Sequence, residues 1–139
     1  MVIGDDEFAG GFSAPRNYRG RTARWVYGSE SPYGQMTATF SIDGNPGGGQ
    51  LELTGIDSEN GPKTPMEIDV NGTSIFRGGN PLPKDDWKTN VAPWSQADFP
   101  IPSGILHAGA NTLTIKNLVP VNNFNSPPYI VIHQAVVSY

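Results

Sequence analysis

A chain of 139 residues has the size of one domain and is long enough to bury a core without metal or disulfide staples. It has no cysteine, which excludes a disulfide framework, a zinc–thiolate site and a cysteine nucleophile; the formal charge of −4 argues against a nucleic-acid partner, because phosphate affinity requires clustered Lys and Arg. With 17 Gly and 13 Pro beside 37% hydrophobic residues, the composition points to many short strands joined by turns.

Residues 1–20 carry glycines, a proline and no sustained period, and are expected to form an extended lead-in to a single domain over residues 21–139. The opening "MVIGDDEF" lacks the basic and apolar regions of a secretory leader, so a secreted origin would imply a mature piece or an excised domain. No run of 18 apolar residues is present, and no membrane-spanning helix is expected.

"RTARWVYG" (Arg21–Gly28) is the first strand expected in that domain, and "QMTATFSI" (Gln35–Ile42) the second. In the latter Met36, Ala38, Phe40 and Ile42 alternate with polar residues, the pattern of a half-buried strand. After the turn "DGNPGGG" comes "QLELTGI" (Gln50–Ile56), and after a further loop "MEIDVNGTSIF" (Met66–Phe76), where Asn71-Gly72 marks a type I′ hairpin. Phe76–Pro100 is then long and irregular, with two tryptophans and the adjacent pair Asp85 and Asp86. "DFPIP" reads as an edge strand because proline cannot donate to a ladder. "NTLTIKNL" (Asn111–Leu118) alternates again, and "YIVIHQAVVSY" (Tyr129–Tyr139) is apolar on both faces, as in a central strand or one with a bulge. Seven or eight strands without a helical period predict an all-β fold, an antiparallel β-sandwich of jelly-roll type.

"ILHAGANTLTIKNL" (Ile105–Leu118) resembles the "L-x-x-G-x-N-T-L-T-I" signature of galactose-binding-domain-like jelly rolls, and "LELTGIDSE" and "IDVNGTSIF" fit the same pattern. This is the fold of many carbohydrate-binding modules. The resemblance implies a non-catalytic module that binds a polysaccharide or oligosaccharide and targets an attached catalytic domain in a larger parent protein. It further implies an extracellular or cell-surface location in a bacterium and, with no cofactor required, leaves room for a structural calcium ion away from the sugar. Asp57 and Glu59 are candidate calcium ligands, with Asp43 and Asn45 a second possibility, although neither turn has EF-hand spacing.

A sugar presents apolar C–H faces and hydroxyl rims, so its site needs flat aromatic platforms beside hydrogen-bonding groups. Loops longer than about 12 to 15 residues are usually functional or disordered, and the aromatics of Phe76–Pro100 argue for order. Trp87 and Trp94 are therefore candidate platforms, Asp85 and Asp86 acceptors, and Arg77, Asn80 and Lys88 donors; anchoring of the loop is the competing role for both tryptophans. Trp25 and Tyr27 share a strand face, with burial the expectation for Trp25, and Tyr33 is a surface candidate. The late loop offers Asn122, Asn123, Phe124 and Asn125. Arg16, Arg19, Arg21 and Arg24 fit either recognition of uronic acids or pairing with Asp5, Asp6, Glu7 or Glu30.

Catalysis is disfavoured. Adjacent aspartates in an extended segment point to opposite sides, unlike the facing carboxylates of a glycosidase, and His107 and His133 stand outside any nucleophile or metal motif. The rival function is a structural or adhesive sandwich in which Trp87 and Trp94 would be hot spots of a protein–protein or interdomain contact.

Overall fold

The computed structural model describes residues 1–14, 16–58, 61–86, 88 and 93–139. Among them are eleven strands: β1 (Val2–Gly4), β2 (Ala9–Gly10), β3 (Phe12–Ser13), β4 (Arg24–Val26), β5 (Gln35–Ile42), β6 (Gly49–Asp57), β7 (Pro65–Val70), β8 (Thr73–Gly79), β9 (Ser95–Ile101), β10 (Gly109–Asn117) and β11 (Ile130–Ser138). No helix among the described residues is long and apolar enough to cross a membrane.

Two antiparallel sheets face each other. The first runs β3-β4-β11-β6-β9, with β1 also paired to β11, and the second runs β2-β5-β10-β7-β8. Strand β11 pairs along its length with β6, while β4 and β1 divide its other edge between Ile130–Ile132 and Gln134–Val136. The lead-in is thus woven into both sheets: β1 and β3 belong to the first, β2 to the second. Strands of two or three residues are too short to display a period, which is why this part of the chain reads as featureless.

Alternation builds the main core. Met36, Ala38, Phe40 and Ile42 on β5, Met66, Ile68 and Val70 on β7, and Leu113 and Ile115 on β10 meet Leu51, Leu53, Ile130 and Ile132 of the opposite sheet. The β6–β11 register slips between Ile132 and Gln134. One residue of slip reverses the facing of everything beyond it, so Ala135 and Val137 enter the core that Ile130 and Ile132 also occupy.

Val131 faces the other way, into a second and smaller cluster with Ala23, Tyr27, Ile56 and Tyr129, against which Phe12, Trp25, Tyr33 and Trp94 pack partly buried. The first sheet is therefore covered on both faces, the physical reason for the two-sided apolar pattern of β11.

The hairpin and the signature are joined. Asn71 and Gly72 both have positive φ, 52° and 79°, as a type I′ turn requires. The Asn71 amide nitrogen donates to Oδ1 of buried Asn111 at 2.8 Å, and Thr112 N–H donates to Oδ1 of Asn71 at 2.8 Å. Nδ2 of Asn111 in turn donates to the carbonyls of His107 and Gly109, tying the turn that enters β10.

The long stretch after Phe76 is shorter as irregular chain than it looks, since β8 continues to Gly79 and β9 begins at Ser95. Its first part is zipped to the end of β6: Asp57 N–H donates to Pro83 O at 2.8 Å and Asp85 N–H to Asp57 O at 2.9 Å. Leu82 is fully buried in the main core, a contribution of about 2 kcal/mol.

Candidate functional site

On the outer face of the first sheet the second cluster is incompletely covered, leaving an open cleft of about 530 Å³. Its apolar walls come from Phe12, Tyr18, Trp25, Tyr27 and Tyr129, and its polar lining from Arg16, Asn17 and Asn125. Strand alternation brings Trp25 and Tyr27 to this face, as Val26 between them points into the main core. Phe12 pairs across the ladder with Trp25, and Tyr18 lies against the Trp25 indole with ring centroids 5.2 Å apart.

Three clamps hold the walls. Arg24 donates from Nε to the Asp5 carbonyl at 2.9 Å and from Nη1 to the Gly10 carbonyl at 2.6 Å, fixing the start of the chain to β4. Tyr18 donates its hydroxyl to Asp85, whose other carboxylate oxygen forms an ion pair with Arg19 Nε at 3.0 Å. Asn123 accepts Gly28 N–H at 2.7 Å and donates to the carbonyls of Ser126 and Pro128, so the loop bearing Phe124 and Asn125 is bound to the end of β4. Gly28 is required there, because a Cβ would lie 2.2 Å from the Val121 carbonyl oxygen.

Burial raises the Tyr18 hydroxyl pKa above its ordinary 10.0, and its hydrogen bond to Asp85 raises it further. Burial also raises that of Tyr27, partly offset by a hydrogen bond from the Asn125 backbone. Both rings therefore remain neutral, amphipathic surfaces at physiological pH.

The residues singled out in the sequence fall in several places. Trp94 packs on the second cluster, its indole N–H donating to Arg19 O at 3.2 Å, its ring edge toward Tyr18 and Arg21 stacked over it at 5.8 Å. Asp85 is buried behind Tyr18. Tyr33 sits at the other side of the cleft, against Phe12, Tyr27 and the exposed ring of Phe124. Asn80 is buried with its amide committed to Thr64 O and Leu82 N–H. Arg77 is exposed on the opposite sheet in an ion pair with Glu67, and Asp86 is exposed and accepts Lys88 N–H. Trp87 lies outside the described residues. The structure thus packs Trp94, Asp85 and Tyr33 against the cleft walls but outside the lining, and Asp86, Arg77 and Asn80 are not among the lining residues either.

Glu59 also lies outside the described residues. Its proposed partner Asp57 is fully buried and accepts Ser58 N–H at 2.9 Å and Thr64 N–H at 3.2 Å, with Lys84 Nζ 3.0 Å from Oδ2. An ammonium already neutralises this carboxylate, so Asp57 does not fit a calcium ligand, and no group of three His, Asp or Glu suited to a metal occurs among the described residues.

Sequence reasoning missed Phe12, Asn17, Tyr18 and Tyr129. The available signal was density: Phe12 and Tyr18, in the stretch read as a lead-in, closely precede Trp25 and Tyr27 of the first expected strand.

No protein-family model matches the chain, and no curated protein matches it in sequence. Solved structures do match. A family 35 carbohydrate-binding module from Clostridium thermocellum superposes with a TM-score of 0.67 at 16% identity, covering 100% of this chain and 98% of that one. The family 36 module in complex with calcium and xylotriose gives 0.56 at 7% identity, over 99% of both chains. A ruminal endo-β-1,4-mannanase gives 0.63 at 14% identity, with 99% of this chain covering 25% of the enzyme. The chain shares the antiparallel β-sandwich fold of these carbohydrate-binding modules.

Proposed function

We propose that the protein is a non-catalytic carbohydrate-binding module that takes a segment of polysaccharide into the cleft over Trp25 and Tyr18. The composition of that cleft carries the reading. Apolar ring faces at Tyr18, Trp25 and Tyr27 suit the C–H face of a pyranose, while the exposed amides of Asn17 and Asn125 suit its hydroxyls. Tyr33 and Phe124 extend the aromatic surface for a neighbouring sugar. Trp94 and Asp85 act behind Tyr18, holding its ring in place rather than touching the ligand.

A binding role agrees with the residues at hand, because among the described residues no carboxylate lines the cleft and glycoside hydrolysis needs two. The mannanase match, in which a domain of this fold is one part of an enzyme chain, supports a parent protein whose catalytic domain is kept at its polysaccharide, outside the cell or at its surface.

Affinity electrophoresis through gels containing single polysaccharides tests the proposal. Retardation of the wild type by at least one polymer, lost in Trp25→Ala and in Asn125→Gly, is expected; glycine suits the positive φ of Asn125 and removes only the amide. A folded protein retarded by no polysaccharide, or retarded equally with both variants, would overturn the proposal and favour a protein-contact role for this face.

A further inference from the structure

We propose that the cleft selects an anionic sugar, with Arg16 as the group that takes its carboxylate or sulfate oxygens; this rests on the cleft being a carbohydrate site. The observation is an imbalance of charge. The chain carries a net −4, yet among the described residues those lining the cleft include no Asp or Glu and one cation, Arg16.

The other arginines are occupied. Arg19 pairs with Asp85, Arg77 with Glu67, and Arg24 holds two backbone carbonyls. Arg21 lies over the Trp94 indole and outside the lining. Arg16 is exposed, and among the described residues no carboxylate pairs with it. Asp85, behind the cleft wall, does not compensate it, since it is already neutralised by Arg19 and bonded to Tyr18.

A guanidinium presents a planar fork of N–H donors that matches the two oxygens of a carboxylate, or two of a sulfate ester. Beside walls of aromatic carbon the effective dielectric falls, so an anion bound there gains more than it would from an arginine in open solvent. A neutral sugar closing over Arg16 would strip water from the charge and return only weak hydroxyl contacts. The net negative charge of the chain repels polyanions at long range, so selective retention of one would be a property of the site and not of overall charge.

The test is titration of the intact protein with a polyuronate, a sulfated polysaccharide and neutral xylan, mannan and β-glucan, at low and physiological salt. The polyuronate or the sulfated polymer is expected to bind at least about tenfold tighter than any neutral polymer, and Arg16→Gln to lose about that factor while neutral polymers are unaffected. The two anionic arms distinguish carboxylate from sulfate. Arg77→Gln makes the same change in net charge on the opposite sheet and is expected to bind as the wild type does. Trp25-dependent binding of neutral polymers with no anionic preference, or an anionic preference untouched in Arg16→Gln, would overturn the proposal and leave the module reading standing. Retention by no polymer of any class would overturn both.

Discussion

The hydroxyl of Tyr18 donates to Asp85, a carboxylate 4% exposed and 67 residues further along the chain, and through this bond the long central loop positions a wall of the cleft. Asp85→Ala removes both the carboxylate that pairs with Arg19, whose side chain is 10% exposed, and the acceptor of the Tyr18 hydroxyl. Loss of about 3 kcal/mol is expected, together with weaker glycan retention. Tyr18→Phe keeps the ring and removes one donor, at about 1 to 2 kcal/mol. Urea unfolding of the two variants checks both values.

The same bond sets an alkaline limit. The folded state raises the Tyr18 pKa above 10.0, first by burial and then through Asp85, so the native form holds this proton more tightly than the unfolded chain. Stability from neutral Tyr18 is fully present below about pH 10 and is lost as pH rises through the raised folded-state value. The stability gap between wild type and Tyr18→Phe is therefore expected to close above about pH 10, measured as urea midpoints at a series of pH values. A constant gap would show that the hydroxyl is not held as described.

Gly28→Ala tests the third clamp. A Cβ at this position meets the Val121 carbonyl and the Asn123 amide oxygen at 2.2 and 2.9 Å, and the neighbouring loop has to shift. Because that loop carries Asn125 and Phe124, glycan affinity is expected to fall at least about tenfold while the main core stays folded, read by titration beside near-UV circular dichroism.

Asn111→Ala removes the hub between hairpin and signature. The buried amide accepts from Asn71 and His107 and donates to the carbonyls of His107 and Gly109. Its loss is expected to cost about 3 kcal/mol, with glycan affinity unchanged in the folded fraction.

At the Asp57 turn, Lys84 stands where a cation would be held. Neither added calcium nor added EDTA is expected to shift the melting temperature through the Asp57 turn. Lys84→Met is expected to lower it, because a fully buried carboxylate loses its counter-ion. A rise with calcium in the wild type that is lost in Asp57→Asn would contradict the assignment, whereas one that persists there would point to the Asp43–Asn45 turn.

Much of the sandwich was legible because its physics is local. Strand β5 spans the residues its alternation marks, and Asn71-Gly72 forms the turn that its conformational preferences demand. The site was less legible. Trp25 and Tyr27 share a face by simple alternation, but Phe12, Tyr18 and Tyr129 meet them only through pairings distant in sequence, such as Phe12 with Trp25 and Ile130 with Val26. The length of Phe76–Pro100 drew attention to Asn80 and Asp85, whose polarity serves buried backbone and side-chain partners. Sequence shows that a polar residue needs a partner, not whether that partner is a ligand or the protein itself.

The two apolar clusters lie on opposite faces of one sheet and share no residue. Replacing a ring in the outer cluster changes the cleft without touching the leucines, isoleucines and methionines of the main core. Under the proposed function, ligand preference can therefore drift with little risk to folding, so that descendants of one sandwich can diversify toward different glycans by exchanging a few side chains on an outer wall.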